Sequence, residues 1–193
     1  MPSVSYRRWR TSRARALDEI SEAHAAVGGS ARGRRFTTQQ INRAYAVLLA
    51  AHFQGFCRDV HSECVDHLVE VLAPPALLQQ LLLTELTRGR HLDRGNATPT
   101  SLGADFRRFG FDFWKEMRLC HANTAIWIRD LELLNEWRNA IVHEDFTSPR
   151  LGGIMFLRLQ QVRRWRHSCR YLAKGTDEVM RRHMQTLTGR FPW

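Results

Sequence analysis

The sequence predicts an all-α fold, a bundle of about five to six helices. Two observations carry this: apolar residues recur every three or four positions over long stretches, and alternating β-branched runs and tight-hairpin dipeptides are missing. A length of 193 residues with 44% hydrophobic content suits one globular domain spanning 1–193 and excludes a disordered tail.

Residues 1–12 read as a basic N-terminal arm. Arg7, Arg8 and Arg10 are followed by no apolar h-region, so the start is not a secretory signal. The first helix is expected from about Ser12 to Val27, with Ala16, Ile20, Ala23 and Val27 on one side and a stop at Gly28-Gly29. A basic loop, Ser30 to Arg35, follows. The second helix starts at Thr37 as N-cap with Gln40 completing a capping box, and Phe36 stapled to Ile41. It continues to Val71 with Ile41, Tyr45, Leu48, Leu49, His52, Phe56 and Val60 inward, and with Gln54, Arg58 and His61 roughly opposite.

Pro74-Pro75 opens a third helix reaching Thr87. The stretch 89–105, with Gly95, Asn96 and Pro99, reads as a long loop. An aromatic segment, Phe106 to Trp114, leads to a helix over Thr124 to His143. A final helix runs from Ile154 or Met155 to Leu187, with Val162, Trp165, Cys169 and Leu172 inward and Gly175 as a point of interruption.

The 29 basic residues outweigh 19 acidic ones, giving +10 and a pI near 10.6, which points to a polyanionic partner, nucleic acid first. Only Lys115 and Lys174 are lysines; the rest are arginines, whose planar fork suits phosphate. No apolar run approaches the ~20 residues of a membrane span. Cys57, Cys64, Cys120 and Cys169 form no C-x-x-C pair, and read as free thiols of a cytoplasmic protein. Cys57, His61 and Cys64 share a helical face at i, i+4 and i+7. A single helix rarely supplies a whole metal site, however, and both thiols border the core stripe.

The stretch Leu131 to Phe146, LELLNEWRNAIVHEDF, carries the chemistry. On a helical wheel Leu131, Leu134, Ile141 and Val142 define an apolar face with Arg138 in its middle. An unpaired buried guanidinium is costly, so Arg138 must meet a carboxylate such as Glu70 or Asp66, a subunit interface or an anionic ligand. Asn135, Asn139 and His143 follow one another at i, i+4 and i+8 beside it.

Residues Arg138-Asn139-Ala140-Ile141-Val142-His143 resemble the Arg-x4-His motif of the HEPN superfamily, with the common polar residue straight after the arginine. Phe109-Gly110-Phe111, Trp137-Arg138-Asn139, Phe53-Gln54 and Arg58-Asp59-Val60-His61 resemble the RiboL-PSP-HEPN branch. The resemblance covers most of the chain from Ala16 onward. It implies a HEPN-like bundle acting as a metal-independent, cofactor-free endoribonuclease, the toxin of a toxin–antitoxin or antiviral defence system. It further implies a homodimer with the active site at the dimer interface, held in check by a cognate antitoxin protein.

By the same resemblance His143 is general base or acid, Arg138 holds the scissile phosphate and stabilises the transition state, and Asn139 orients the pair. Arg58 and His61, with Gln54 beside them, are candidate accessory RNA contacts. Two other readings stand beside this one: a HEPN-like scaffold without catalysis that binds RNA or nucleotides, and an unrelated basic helical nucleic-acid-binding protein.

Overall fold

Residues 1–28 and 35–193 are described by a computed structural model, and among them the chain forms nine α-helical segments and no β-strand. These are α1 (Val4–Arg8), α2 (Ala14–Gly28), α3 (Arg35–Leu72), α4 (Ala76–Thr87), α5 (His91–Arg94), α6 (Pro99–Phe106), α7 (Phe113–Cys120), α8 (Thr124–His143) and α9 (Leu159–Thr188). A π-helical turn, Trp9–Arg13, joins α1 to α2 without a break. The count exceeds five to six because residues 1–13 and 89–120 fold into short helices of their own.

The N-terminal segment is not an arm. Ser3 caps α1 by accepting from the Tyr6 N–H at 2.9 Å, and its own N–H donates to Asp177 Oδ1 at 3.1 Å on α9. Trp9, only 5% exposed, lies 5.9 Å from the Phe53 ring and 5.8 Å from the Phe56 ring. Its apolar burial outweighs the surrounding arginines, which the charge count alone had emphasised. In α2 the fully buried residue is Leu17, while Ala23 is exposed.

The expected loop after Gly28-Gly29 lies mostly outside the described residues, and its last residue, Arg35, already belongs to α3. Thr37 therefore sits inside the first turn instead of capping it, and Phe36 is 76% exposed instead of stapled. Helix α3 is the axis of the molecule: α1, α2, α4, α5, α8 and α9 all pack on it. Tyr45, Leu49, Phe56 and Val60 are buried as expected, but so are Phe53, Cys57, Cys64 and Val65 on other sides. Helix α4 begins after Pro75 and ends at Thr87, as the proline pair implies.

The expected long loop is a structured connector. Asp105, fully buried, accepts from the N–H groups of His91 (3.0 Å) and Leu92 (2.9 Å), fixing the start of α5. Thr98 caps α6, and Pro99 takes its first position. Leu92, Ala97, Leu102 and Phe106 supply the apolar burial.

Helix α8 has the expected bounds. Helix α9 starts at Leu159, later than expected: Gly152 and Gly153, at φ 58° and 71°, turn the chain, and residues 154–158 run on from them without helix. The intervening segment, 154–158, is held by Asn42 Nδ2 on Leu157 O at 2.8 Å and Gln39 Nε2 on Met155 O at 3.1 Å. Val162, Trp165, Cys169 and Leu172 face the core. Gly175 does not interrupt α9: a Cβ there would sit 2.7 Å from Met117 Cε, so glycine lets α7 lie close. All four cysteines are free thiols. Among the described residues no helix is long and apolar enough to cross a membrane.

Candidate active site

Helix α8 positions the motif. Its buried stripe is Trp127, Leu131, Leu134, Trp137 and Ala140, while Ile141 is half-buried and Val142 exposed. Arg138 consequently stands at the edge of the apolar face, half-buried, and not in its middle. The reason is Trp137, whose ring packs 6.4 Å from Trp165 and 6.0 Å from Phe146. Burying that indole turns the helix so that the next residue comes to the border.

The Arg138 guanidinium donates from Nη1 to Asn139 Oδ1 at 3.2 Å. Neither Glu70 nor Asp66 pairs with it, and among the described residues it meets no carboxylate. Residues 29–34, Gly-Ser-Ala-Arg-Gly-Arg, contain none. Of the three partners a burdened arginine can take, the internal carboxylate is thus removed.

Asn139 Oδ1 also accepts from Asn96 Nδ2 at 2.6 Å. With both bonds on the oxygen, the Asn139 amide is fixed and its two N–H donors are left for another acceptor. One turn earlier Asn135, buried, donates to Ala97 O at 3.1 Å and to Leu131 O at 2.9 Å. The polar row at i, i+4 and i+8 thus changes character along the helix: Asn135 holds the α5–α6 connector, Asn139 is set by it, and His143 stands exposed at the helix end.

After His143 the chain turns at Glu144, in the left-handed region at φ 54°, and the Asp145 N–H donates back to Ala140 O at 3.0 Å. The Asp145 carboxylate accepts from Thr147 Oγ1 at 2.6 Å and the Thr147 N–H at 3.0 Å. These bonds, with the nearby His143 charge, hold its pKa below the usual value. Ser148 Oγ donates to Glu136 on α8. The returning loop and the last turns of α8 border an open surface cavity of about 300 Å³ lined by Asn139, Ala140, His143, Glu136, Asp145, Thr147 and Ser148. An imidazole for proton transfer and a fixed amide share this cavity, and a guanidinium without a carboxylate partner is bonded to the amide.

The other row of candidates does not join this site. Gln54 Nε2 donates to Leu92 O at 2.8 Å, tying α3 to α5. His61 is 0% exposed, with its ring centroid 4.8 Å from Phe109 and 5.5 Å from Phe106. Arg90 Nη1 lies 3.3 Å from His61 Nδ1, and an arginine only donates, so Nδ1 accepts and Nε2 carries the proton shared with Asp105 O at 3.2 Å. Burial first, then the Arg90 charge, pushes the His61 pKa down to about 4. A buried neutral histidine with both nitrogens engaged is an anchor for the connector and does not reach RNA. Arg58 is exposed, its Nε 4.0 Å from Asp59. Cys57 and Cys64 are fully buried beside His61, and burial pushes both thiols up. Among the described residues no cluster of three or more His, Cys, Asp or Glu is arranged to hold a metal.

Asn96, Asp145 and Thr147 were not among the sequence candidates. Asn96 has no helical spacing to the motif and reaches it only through the folded connector. Asp145 and Thr147 form an Asx-type turn whose D-x-T pattern is visible in the sequence. No protein-family model, curated protein or solved structure matches the chain.

Proposed function

We propose that this chain is a metal-independent endoribonuclease of HEPN type, cleaving RNA by attack of the 2′-OH on the adjacent phosphate. The observation that carries the reading is the grouping of Asn139 and His143 in one surface cavity, with Arg138 bonded to Asn139 and to no carboxylate among the described residues. RNA brings its own nucleophile, so the protein supplies proton transfer and charge stabilisation. An exposed imidazole and a guanidinium without a carboxylate partner are the groups for these tasks. The net charge of +10 draws the strand to the surface and adds salt-sensitive affinity.

In this reading the Arg138 N–H groups not given to Asn139 take the non-bridging oxygens of the scissile phosphate. Asn139 keeps the guanidinium aligned and is itself held by Asn96. His143 moves the proton at the 2′-oxygen or the leaving 5′-oxygen. One motif per chain offers one histidine, so acid and base come from two copies facing each other across a dimer cleft. Val142, 48% exposed beside His143, is an apolar residue that a second copy would cover. A nuclease of this kind is a toxin or antiviral effector and calls for a protein antitoxin.

The test is cleavage of RNA by the purified full chain in EDTA. Arg138→Ala and His143→Ala are expected to abolish it while leaving the helical circular dichroism unchanged. Activity that disappears with the chelator, or persists in both variants, overturns the proposal. Growth arrest on expression, relieved by His143→Ala, is the corresponding cellular result.

A further inference from the structure

A second cavity, about 410 Å³, lies between the N-terminal helical run and α9 and shares no lining residue with the cavity at His143. Its floor is apolar: Trp9, Ala14 and Leu17. Its rim is basic: Arg10, Arg163, Arg166, His167 and Arg170. Two independent features of the backbone build that rim. On α9, residues 163, 166, 167 and 170 follow the i, i+3, i+4, i+7 spacing of one helical face, which flanks the face that buries Val162, Trp165, Cys169 and Leu172. Across from them, the π-helical turn Trp9–Arg13 buries Trp9 and leaves Arg10 exposed; such widened turns recur at functional sites.

The charge at this rim is only partly balanced. Arg166 is fixed by Asp18 Oδ1 at 2.7 Å, the Tyr45 hydroxyl at 2.9 Å and Ala14 O at 3.2 Å. Arg163 reaches Ser21 Oγ at 3.4 Å, and Arg10 lies 6.0 Å over the Tyr6 ring. Among the described residues Arg10, Arg163 and Arg170 pair with no carboxylate, and none lines the cavity. Guanidinium groups converging on one concavity repel each other, and a multivalent anion seated among them removes that cost.

We propose that this pocket binds a compact oligophosphate, either a bare inorganic chain or the phosphate tail of a nucleotide. Arginine forks match phosphate oxygens in bidentate fashion. The volume of about 410 Å³ leaves room for roughly fourteen waters at about 30 Å³ each, more than a single phosphate fills. The arginines also gather around one hollow spanning about 10 Å of α9, from 163 to 170. A tracked RNA backbone asks instead for a long stripe. The site stands apart from the ribonuclease reading, because its test reads binding alone.

Isothermal titration of the full chain with tripolyphosphate, ATP, adenosine and a short single-stranded RNA tests it. Tripolyphosphate and ATP are expected to saturate at one per chain and adenosine to give no heat. Arg10→Gln and Arg170→Gln, both at exposed positions, are each expected to weaken binding about tenfold. Arg118→Gln, an exposed arginine outside the pocket, changes affinity less than about twofold. ATP binding more tightly than tripolyphosphate assigns the nucleotide tail; equal affinities assign the bare chain. The proposal is overturned if tripolyphosphate does not bind, if Arg118→Gln costs as much as Arg170→Gln, if adenosine matches ATP, or if only the RNA loses affinity in the pocket variants.

Discussion

Replacing His61 with glutamine removes a pH-dependent cost that the fold carries at its centre. Folding buries this imidazole neutral, with a pKa near 4, whereas in the unfolded chain it titrates near 6.5. As pH falls below 6.5 the unfolded state binds a proton that the folded state cannot accept until about 4. Stability therefore drops through that window and levels off below it. The span from 6.5 to about 4, at ~1.4 kcal/mol per pH unit, corresponds to a full loss of about 3.5 kcal/mol once the pH is below 4. Glutamine has a donor and an acceptor for Asp105 O and Arg90 but does not titrate. Urea unfolding followed by circular dichroism at pH 7.5, 6.5, 5.5 and 4.5 should show the wild-type curve falling more steeply than His61→Gln, the gap changing by about 2.5 kcal/mol over that range. The His61 ring resonance in the wild type, followed by NMR, should titrate near 4 whatever the variant does. Parallel stability curves and a midpoint near 6.5 would refute the buried, neutral assignment and restore His61 as a candidate RNA contact.

Two further substitutions probe the connector that links α3 to α8. Asp105→Ala strips the acceptor from the His91 and Leu92 N–H groups in a fully buried site, and is expected to cost about 3 kcal/mol in urea unfolding. Asn96→Ala releases the Asn139 amide at an exposed position. It should lower RNA cleavage about tenfold while changing stability by less than about 0.5 kcal/mol, measured by initial rates and melting curves.

The fold class, the bounds of α4 and α8 and the inward residues of α9 were legible because each rests on local signals: helical periodicity, a proline pair, an apolar stripe. The N-terminal run was not, because a count of arginines conceals one Trp9 whose burial decides the matter. The connector 89–105 carries loop residues, and its order comes from a buried Asp105 and contacts with α3 and α8 that no local pattern encodes. At the site, the spacing of Asn139 and His143 along α8 was readable from periodicity. A helical wheel sets Arg138 a fraction of a turn too far into the apolar face, since it does not weigh Trp137 against its neighbours. The polar row of Gln54 and His61 on α3 reads as candidate RNA contacts because its cover, α5 and α6, lies in a stretch of loop-type residues.

Mass analysis of the RNA ends made in EDTA is the most direct test of the claim that Arg138, Asn139 and His143 perform the chemistry. The wild-type chain should leave 2′,3′-cyclic phosphate and 5′-hydroxyl ends, and His143→Ala should leave the RNA intact. Ends carrying 5′-phosphate, or the same cyclic ends from His143→Ala at the wild-type rate, would contradict it.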